Sequence, residues 1–243
     1  MAAPWVNMEW LAFDLETTGI EVQSDVPVSF ALVTMRQGSV LESRYSLVDP
    51  RREIPEGAAA VHGISTEQAR TEGMDLDEAI EEIATRLVEA SRGGVPVVGF
   101  NLSYDLTMTD ACCRRIDGRG LVERGWAGPV LDPLVMDKHL VKFRKGKGSR
   151  TLGALCEVYG VTNEAAHDAQ GDAVAAGLLL AAYADAFAEI ADVPVEELYR
   201  AQGQWHKSWA GEFSDYLLRN GKQGFSDEEF EWPIQVAASD TLF

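Results

Sequence analysis

Residues 10–20 read "WLAFDLETTGI", an apolar run interrupted by Asp14 and Glu16. In a β-strand side chains alternate between faces, so the two acids point one way and Leu11, Phe13 and Leu15 the other. If the strand is central, two carboxylates then sit side by side where charge is costly to desolvate. Two such neighbours repel, and one keeps a proton unless a cation joins them. The bland alternative is a half-exposed strand with a solvated acidic face. The rest of the chain decides between the two.

Outward from this run, "PVSFALVTM" and "VLESRYSLV" are also short, β-branched and aromatic, and turn-type residues separate the three segments. Strands this close in sequence predict an antiparallel meander. The pattern then becomes helical. Ser65 with Gln68, and Asp75 with Glu78, have capping-box spacing. Leu76, Ala79, Ile80, Ile83, Leu87 and Val88 form a helical stripe. "VPVVGF" suits a strand buried on both faces, "PVLD" a fifth short strand, and "RTLGALCEVYG" a brief helix closed by Gly160. "DAVAAGLLLAAYADAFAEI" reads as one long Ala-rich helix able to lie close beneath a sheet. The expected fold class is α/β, a mixed sheet of a three-stranded antiparallel meander plus parallel strands, flanked by helices.

Past about residue 192 the character changes. Asp192 and Pro194 announce a further helix that stops at Asn220-Gly221, with Leu198, Trp205, Trp209 and Tyr216 near one face, expected to dock on the core. The division expected is a main domain at 1–190 and a helical C-terminal extension at 191–243 with a flexible end.

The 243 residues are 46% hydrophobic, enough to bury a full core. No apolar run reaches the roughly 20 residues that span a bilayer, and no signal-like start is present, so the chain reads as cytoplasmic and not membrane-bound. Cys112, Cys113 and Cys156 form neither a ligand spacing nor an even disulfide set. A net charge of -18, from 39 acidic and 21 basic residues, argues against nucleic acid held by a general positive surface. It leaves open nucleic acid reached through bound divalent cations, which reverse the local field. One segment runs against the trend. From Lys138 to Arg150 there are six Lys or Arg and no acid, which with Gly146 and Gly148 reads as a mobile basic loop.

Two more acidic stations accompany the first strand. In "GFNLSYD", Asn101 ends the buried strand and Asp105 falls in the first turn of the next helix, where the helix dipole favours a carboxylate. In "AHDAQGDA", His167 and Asp172 are five residues apart. On one continuous helix they would diverge by about 140°. They converge if His167 precedes the helix and Asp172 lies in its opening turns, with Asp168 as N-cap.

This order of acids resembles the DEDDh, or DnaQ-like, 3′→5′ exonuclease family. "FDLETTG" is similar to its first motif, "FNLSYD" to its second, "AAAVHGIS" and "TLGALCEVYGV" to its companion segments, over about residues 8 to 185. The family often carries histidine where Phe100 stands, a departure that bears on substrate contacts and not on the metal centre.

The resemblance implies a ribonuclease H-like fold. It also implies that Asp14, Glu16, Asp105 and Asp172 hold two Mg²⁺ or Mn²⁺ ions, with His167 taking the proton from the attacking water. A pair of ions about 3.5–4 Å apart clamps the attacking and leaving oxygens of a phosphodiester. An imidazole pKa of about 6.5 suits the base role at neutral pH. Leu15, Thr17, Thr18, His62, Phe100 and Asn101 are the implied substrate contacts. The expected activity is release of nucleoside monophosphates from single-stranded or frayed DNA 3′ ends, of the proofreading or repair type. Short RNA cut by the same chemistry, and a non-catalytic nucleic-acid-binding scaffold, are the alternatives. A polymerase partner would be a separate chain, and a sliding-clamp partner rests only on the Leu-Phe of "SDTLF".

Overall fold

Alternation within the first three apolar runs produces the expected meander. The computed structural model describes residues 4–162 and 168–235, and in it β1 (Glu9–Thr17), β2 (Pro27–Arg36) and β3 (Ser39–Asp49) pair antiparallel in sequence order. β5 (Val97–Val98) pairs parallel to β1 on its other side, and β6 (Val130–Leu131) parallel to β5. With β4 (Met74–Asp75) on the far edge, the six-stranded order is β4-β3-β2-β1-β5-β6. β1 is therefore central, the strand at which the chain first builds one way and then crosses to the other. In open α/β sheets the crevice beyond the carboxyl ends of such strands is the usual ligand site.

The two faces of β1 enter different cores. Leu11, Phe13 and Leu15 pack with Ile80, Ile83 and Leu87 of α3 (Leu76–Arg92) and with Leu106 and Cys113 of α4 (Ser103–Asp117). Trp10 and Ala12 pack on the opposite side with Ala173, Leu180 and Tyr183 of α7 (Ala169–Ala186). Asp14 and Glu16 continue this second face. The helix can approach the sheet because it is lined with alanine and because Gly177 carries no side chain. A Cβ there would lie 2.5 Å from Met35 Sδ on β2.

Local signals resolve as the chemistry requires, with exceptions. Asp75 accepts from the N–H groups of Asp77 and Glu78 and starts α3. Ser65 accepts from Gln68 N–H at the start of α2 (Thr66–Glu72), but the Gln68 side chain turns to Glu72 and leaves the capping box half formed. The brief helix expected before Gly160 is α6 (Leu152–Tyr159). The single long helix expected at 172–190 breaks at Phe187, which ends α7 and begins the short α8 (Ala188–Ala191). The sequence reading does not anticipate the small helix α1 (Glu56–His62) or α5 (Pro133–Leu140), and α5 takes Lys138 and His139 out of the presumed loop.

The remaining basic segment is anchored rather than free. Asp137, fully buried, accepts from Arg144 and from Arg150 Nε, so two of the six cations pin the connection to α5. The extension is α9 (Val195–Arg219), whose Val195 and Leu198 share the core of Trp5 and Trp10. Its inward face is Leu198, Gln202, His206, Ala210 and Ser214. The expected aromatic contact face is displaced. Trp205 and Trp209 are half-buried at the side, and Tyr216 is exposed. No helix among the described residues is long and apolar enough to cross a membrane.

Candidate active site

β1 delivers Asp14 and Glu16 to the carboxyl end of the sheet, opposite Ala31 and Ser29 of β2. These small partners leave room above the strand, and the first turn of α7 brings Asp172 into that space. One carboxylate oxygen from each of Asp14, Glu16 and Asp172 lies within 4.8 Å of the others. Asp172 sits in the opening turn behind Asp168, as the spacing argument requires, with its N–H donating to the Asp168 carbonyl at 2.9 Å. His167 lies outside the described residues.

Asp105 arrives from the opposite side, in the first turn of α4. It is buried, and its Oδ1 accepts from Leu15 N–H at 3.1 Å, which fixes the carboxylate against the end of β1. Its charge acts directly on Asp14.

Electrostatics makes this cluster expensive as it stands. Burial raises Asp14 well above the usual carboxylate range, and Asp105, Asp172, Glu16 and Asp168 add to the shift. Burial, then Asp172 and Asp168, push Glu16 up to about 8. Burial likewise raises Asp105, against the opposing hydrogen bond from Leu15. Among the described residues, no positive group stands with the causes of any of the three shifts. Buried like charges without a counter-charge persist where a cation repays them, and an oxygen-only donor set suits a hard divalent ion. The residues fit such an ion. Asp14, Glu16 and Asp172 would hold it, with Asp105 beside them.

The expected substrate contacts fall into two groups. Asn101 is exposed at the strand-to-helix junction with φ at 60°, a left-handed conformation that Asn tolerates better than most residues. Phe100 is half-buried against the second core, and His62 sits beside the Thr17 main chain, its imidazole lowered below its ordinary value by burial. The His62 Nδ1 accepts from Ile64 N–H, and its buried Nε2 has no hydrogen bond of normal geometry among the described residues. The other group is committed to the fold. Leu15 spends its N–H on Asp105. Thr18 is 1% exposed, its N–H donates to the Val26 carbonyl and its hydroxyl to Asp25. Thr17 donates its hydroxyl to the Gly19 carbonyl at 2.8 Å and shares a hydrogen bond with the Tyr104 hydroxyl at 2.7 Å. Both threonines thus shape the turn after β1.

Sequence reasoning missed the support beneath Asn101. Asp132, buried at the start of α5, accepts from the N–H groups of Asn101 at 3.2 Å, Leu102 at 3.0 Å and Leu134 at 2.8 Å. Its own N–H donates to Gln202 Oε1 of α9 at 2.8 Å. A signal for it exists in "LDP", an N-cap acid followed by proline at the first helical position. Asp132→Asn turns an amide NH₂ toward groups that are themselves donors. It should cost about 1–3 kcal/mol of unfolding free energy in urea titration, while an unchanged midpoint would remove the positioning role. The spacing argument gives Asp168 only the part of N-cap, but its side chain makes no capping bond and its charge raises both Asp14 and Glu16.

Comparison with known proteins gives a consistent answer. The RNase T exonuclease profile, described as an exonuclease, matches residues 11–180. A DNA polymerase III subunit epsilon-like protein of Rhodobacter capsulatus is 32% identical over 177 residues, covering 71% of this chain and 23% of that protein. A PolC-type DNA polymerase III of Lacticaseibacillus paracasei is 28% identical over 174 residues, 72% of this chain and 11% of that one. These alignments span 23% or less of the relatives' own length. In fold, exonuclease I of Methylocaldum szegediense superposes with a TM-score of 0.63 at 20% identity, over 86% of this chain and 46% of the other. Exonuclease I of E. coli in complex with a dT13 oligonucleotide gives 0.61 at 20% identity, over 73% and 41%. With the profile spanning both β1 and α7, the chain belongs to the RNase T exonuclease family, DnaQ-like and ribonuclease H-like in fold.

Proposed function

We propose that the chain is a metal-dependent 3′→5′ exonuclease that releases nucleoside monophosphates from DNA ends by phosphodiester hydrolysis, in a proofreading or repair setting. The observation that carries this reading is the convergence of Asp14, Glu16 and Asp172 within 4.8 Å, from elements far apart in sequence. Two Mg²⁺ or Mn²⁺ ions, when bound, supply charge neutralisation at the attacking and leaving oxygens. The chain's own part is to present carboxylates at fixed positions, with Asp105 held by Leu15 N–H and the Asn101 turn held by Asp132. His167 is the base this reading assigns for the attacking water. Of the other histidines, His139 stacks on Trp205 and His206 pairs with the Glu229 carbonyl, so both are engaged elsewhere. Asn101, Phe100 and His62 are the side chains left to meet the terminal nucleotide. Residues 1–190 form the catalytic unit in this reading and 191–243 its helical extension.

DNA is favoured over RNA because the relatives are named for DNA polymerases and a fold neighbour holds a dT13 oligonucleotide. The test is a 5′-labelled single strand, as DNA and as matched RNA, with Mg²⁺, Mn²⁺ or chelator. A ladder of products shortened from the 3′ end, faster on DNA and absent with chelator, is expected. Strands left intact in both metals, though still bound, would overturn the reading in favour of a scaffold.

A further inference from the structure

Away from the acid cluster, a groove of about 270 Å³ runs between the end of α5, the basic connection after it and the outer face of α9. On α9, Trp205, Trp209 and Phe213 recur every four residues, about 6 Å apart along the axis, and Tyr216 follows. The rings of Trp209, Phe213 and Tyr216 form a nearly parallel ladder. Trp209 and Phe213 lie 5.4 Å apart at 11°, Phe213 and Tyr216 6.0 Å apart at 18°. His139 stacks on Trp205 at 4.1 Å, and Lys138 Nζ sits 3.3 Å above the Trp209 ring. Phe143, from the basic connection, also lines the groove and is 82% exposed, and Tyr216 is 52% exposed.

Two observations say what covers these rings. The first is charge. In a chain of net charge -18, the groove is lined by Lys138, Lys142 and Arg150, the last tied to the buried Asp137, and the exposed Lys145 and Lys147 stand in the adjoining connection. The carboxylate in the lining, Glu212, is paired with Lys142 at 2.8 Å. The second is continuity. A smaller cleft of about 160 Å³ shares Lys138 and Trp209 with the groove and ends on Asn101 and Ser103, at the turn that leads into Asp105. His139 and Lys138 cover faces of Trp205 and Trp209, so the rings open to a base are the exposed Phe143 and Tyr216. Beside cations, in a groove continuous with a nuclease centre, these match a strand with charged phosphates and π-faced bases.

We propose that this groove is a stacking platform for single-stranded nucleic acid, holding the part of the strand that leads away from the acid cluster. The proposal rests on the nuclease reading above and adds to it a role for the extension. Affinity should then grow with strand length beyond the terminal nucleotides, without sequence preference, because every base offers a face to stack.

The test uses the full chain and fluorescein-labelled oligothymidylate of about fifteen nucleotides, a length within the range such grooves occupy. Anisotropy is read in chelator, so that no strand is cut. Phe143→Ala with Tyr216→Ala removes two exposed rings, and Lys145→Glu with Lys147→Glu reverses two exposed charges. Each double variant should weaken the long oligonucleotide about fivefold or more, the lysine variant also flattening the salt dependence of Kd. Hydrolysis of the p-nitrophenyl ester of thymidine 5′-phosphate with Mn²⁺, which engages the catalytic centre and not the groove, should be unchanged. Identical wild-type and variant affinities for the long strand would overturn the platform and leave the groove to a protein partner. If the ester is inert in wild type while both variants still lose affinity, the nuclease reading falls and the platform stands.

Discussion

Asp14→Asn should abolish metal-dependent hydrolysis, on the order of a thousandfold or about 4 kcal/mol of barrier, and yet stabilise the metal-free chain. The two effects have one cause. Asp14 is half-buried beside Asp105, Asp172, Glu16 and Asp168, and its pKa lies well above the ordinary value. At neutral pH the unfolded chain ionises this side chain freely, whereas the folded chain must either hold its proton or bear its charge among like charges. Asparagine keeps the shape and removes that cost, so Tm in chelator should rise, each kcal/mol read as about 2–4 °C in a domain of this size. It also removes a ligand that α7 cannot replace, so the rate should fall. Initial rates with Mn²⁺ and a melting curve with chelator, on the same preparation, give both numbers. Retained activity in the Asp14→Asn variant would move the centre away from this cluster. A variant both inactive and less stable would mean that Asp14 is structural, its carboxylate held by bonds worth more than the repulsion.

This opposition between function and stability explains what the sequence revealed. Acids placed against the apolar logic of "FDLET", at a helix start in "NLSYD" and behind Asp168 are violations of local rules, and violations are visible in one dimension. The three-strand meander is legible for the complementary reason, since its alternation obeys those rules throughout. What stays hidden depends on contacts across the fold. Nothing in "TTG" says that Thr18 turns inward to Asp25, or that the Tyr104 hydroxyl reaches back to Thr17. The Lys138–Arg150 run looks free because its acid partner, Asp137, lies one residue outside it, within a short helix that only "LDP" announces. The stripe on α9 misleads because Gln202 and His206 face inward, where polarity argues for solvent. Gln202 bonds Asp132 and Val130, and His206 bonds Glu229, so both are satisfied in place.

Divalent cations should stabilise the protein more at pH 8 than at pH 6.5, and in chelator its stability should fall across that same interval. Glu16 titrates at 4.5 in its ordinary state and is pushed up to about 8 in the fold, chiefly by burial and then by Asp172 and Asp168. Between those values the unfolded chain has lost a proton that the folded chain retains. Unfolding therefore releases protons, and stability falls as pH rises until the folded group ionises. Asp14 and Asp105 are shifted in the same direction. Other groups bound the useful window. Asp132, raised to about 6, slopes the same way only below that pH. His62, His139 and His206 are lowered from 6.5, so they oppose the trend, but only up to that value. Lys138, lowered from 10.5 to about 8, adds stability with rising pH only above 8. From pH 6.5 to 8 the acid cluster is thus left to set the slope. An ion binds the ionised carboxylates and displaces their protons, so its affinity, and with it the gain in Tm, grows with pH. Melting curves in chelator and in millimolar Mn²⁺ across this interval should diverge, with the chelator curve falling and the Mn²⁺ curve flat or rising. In Asp14→Asn the separation should shrink at every pH. Parallel curves for the wild type would mean that no ion is held by ionised carboxylates here, and the cluster would have to fold as a set of protonated acids.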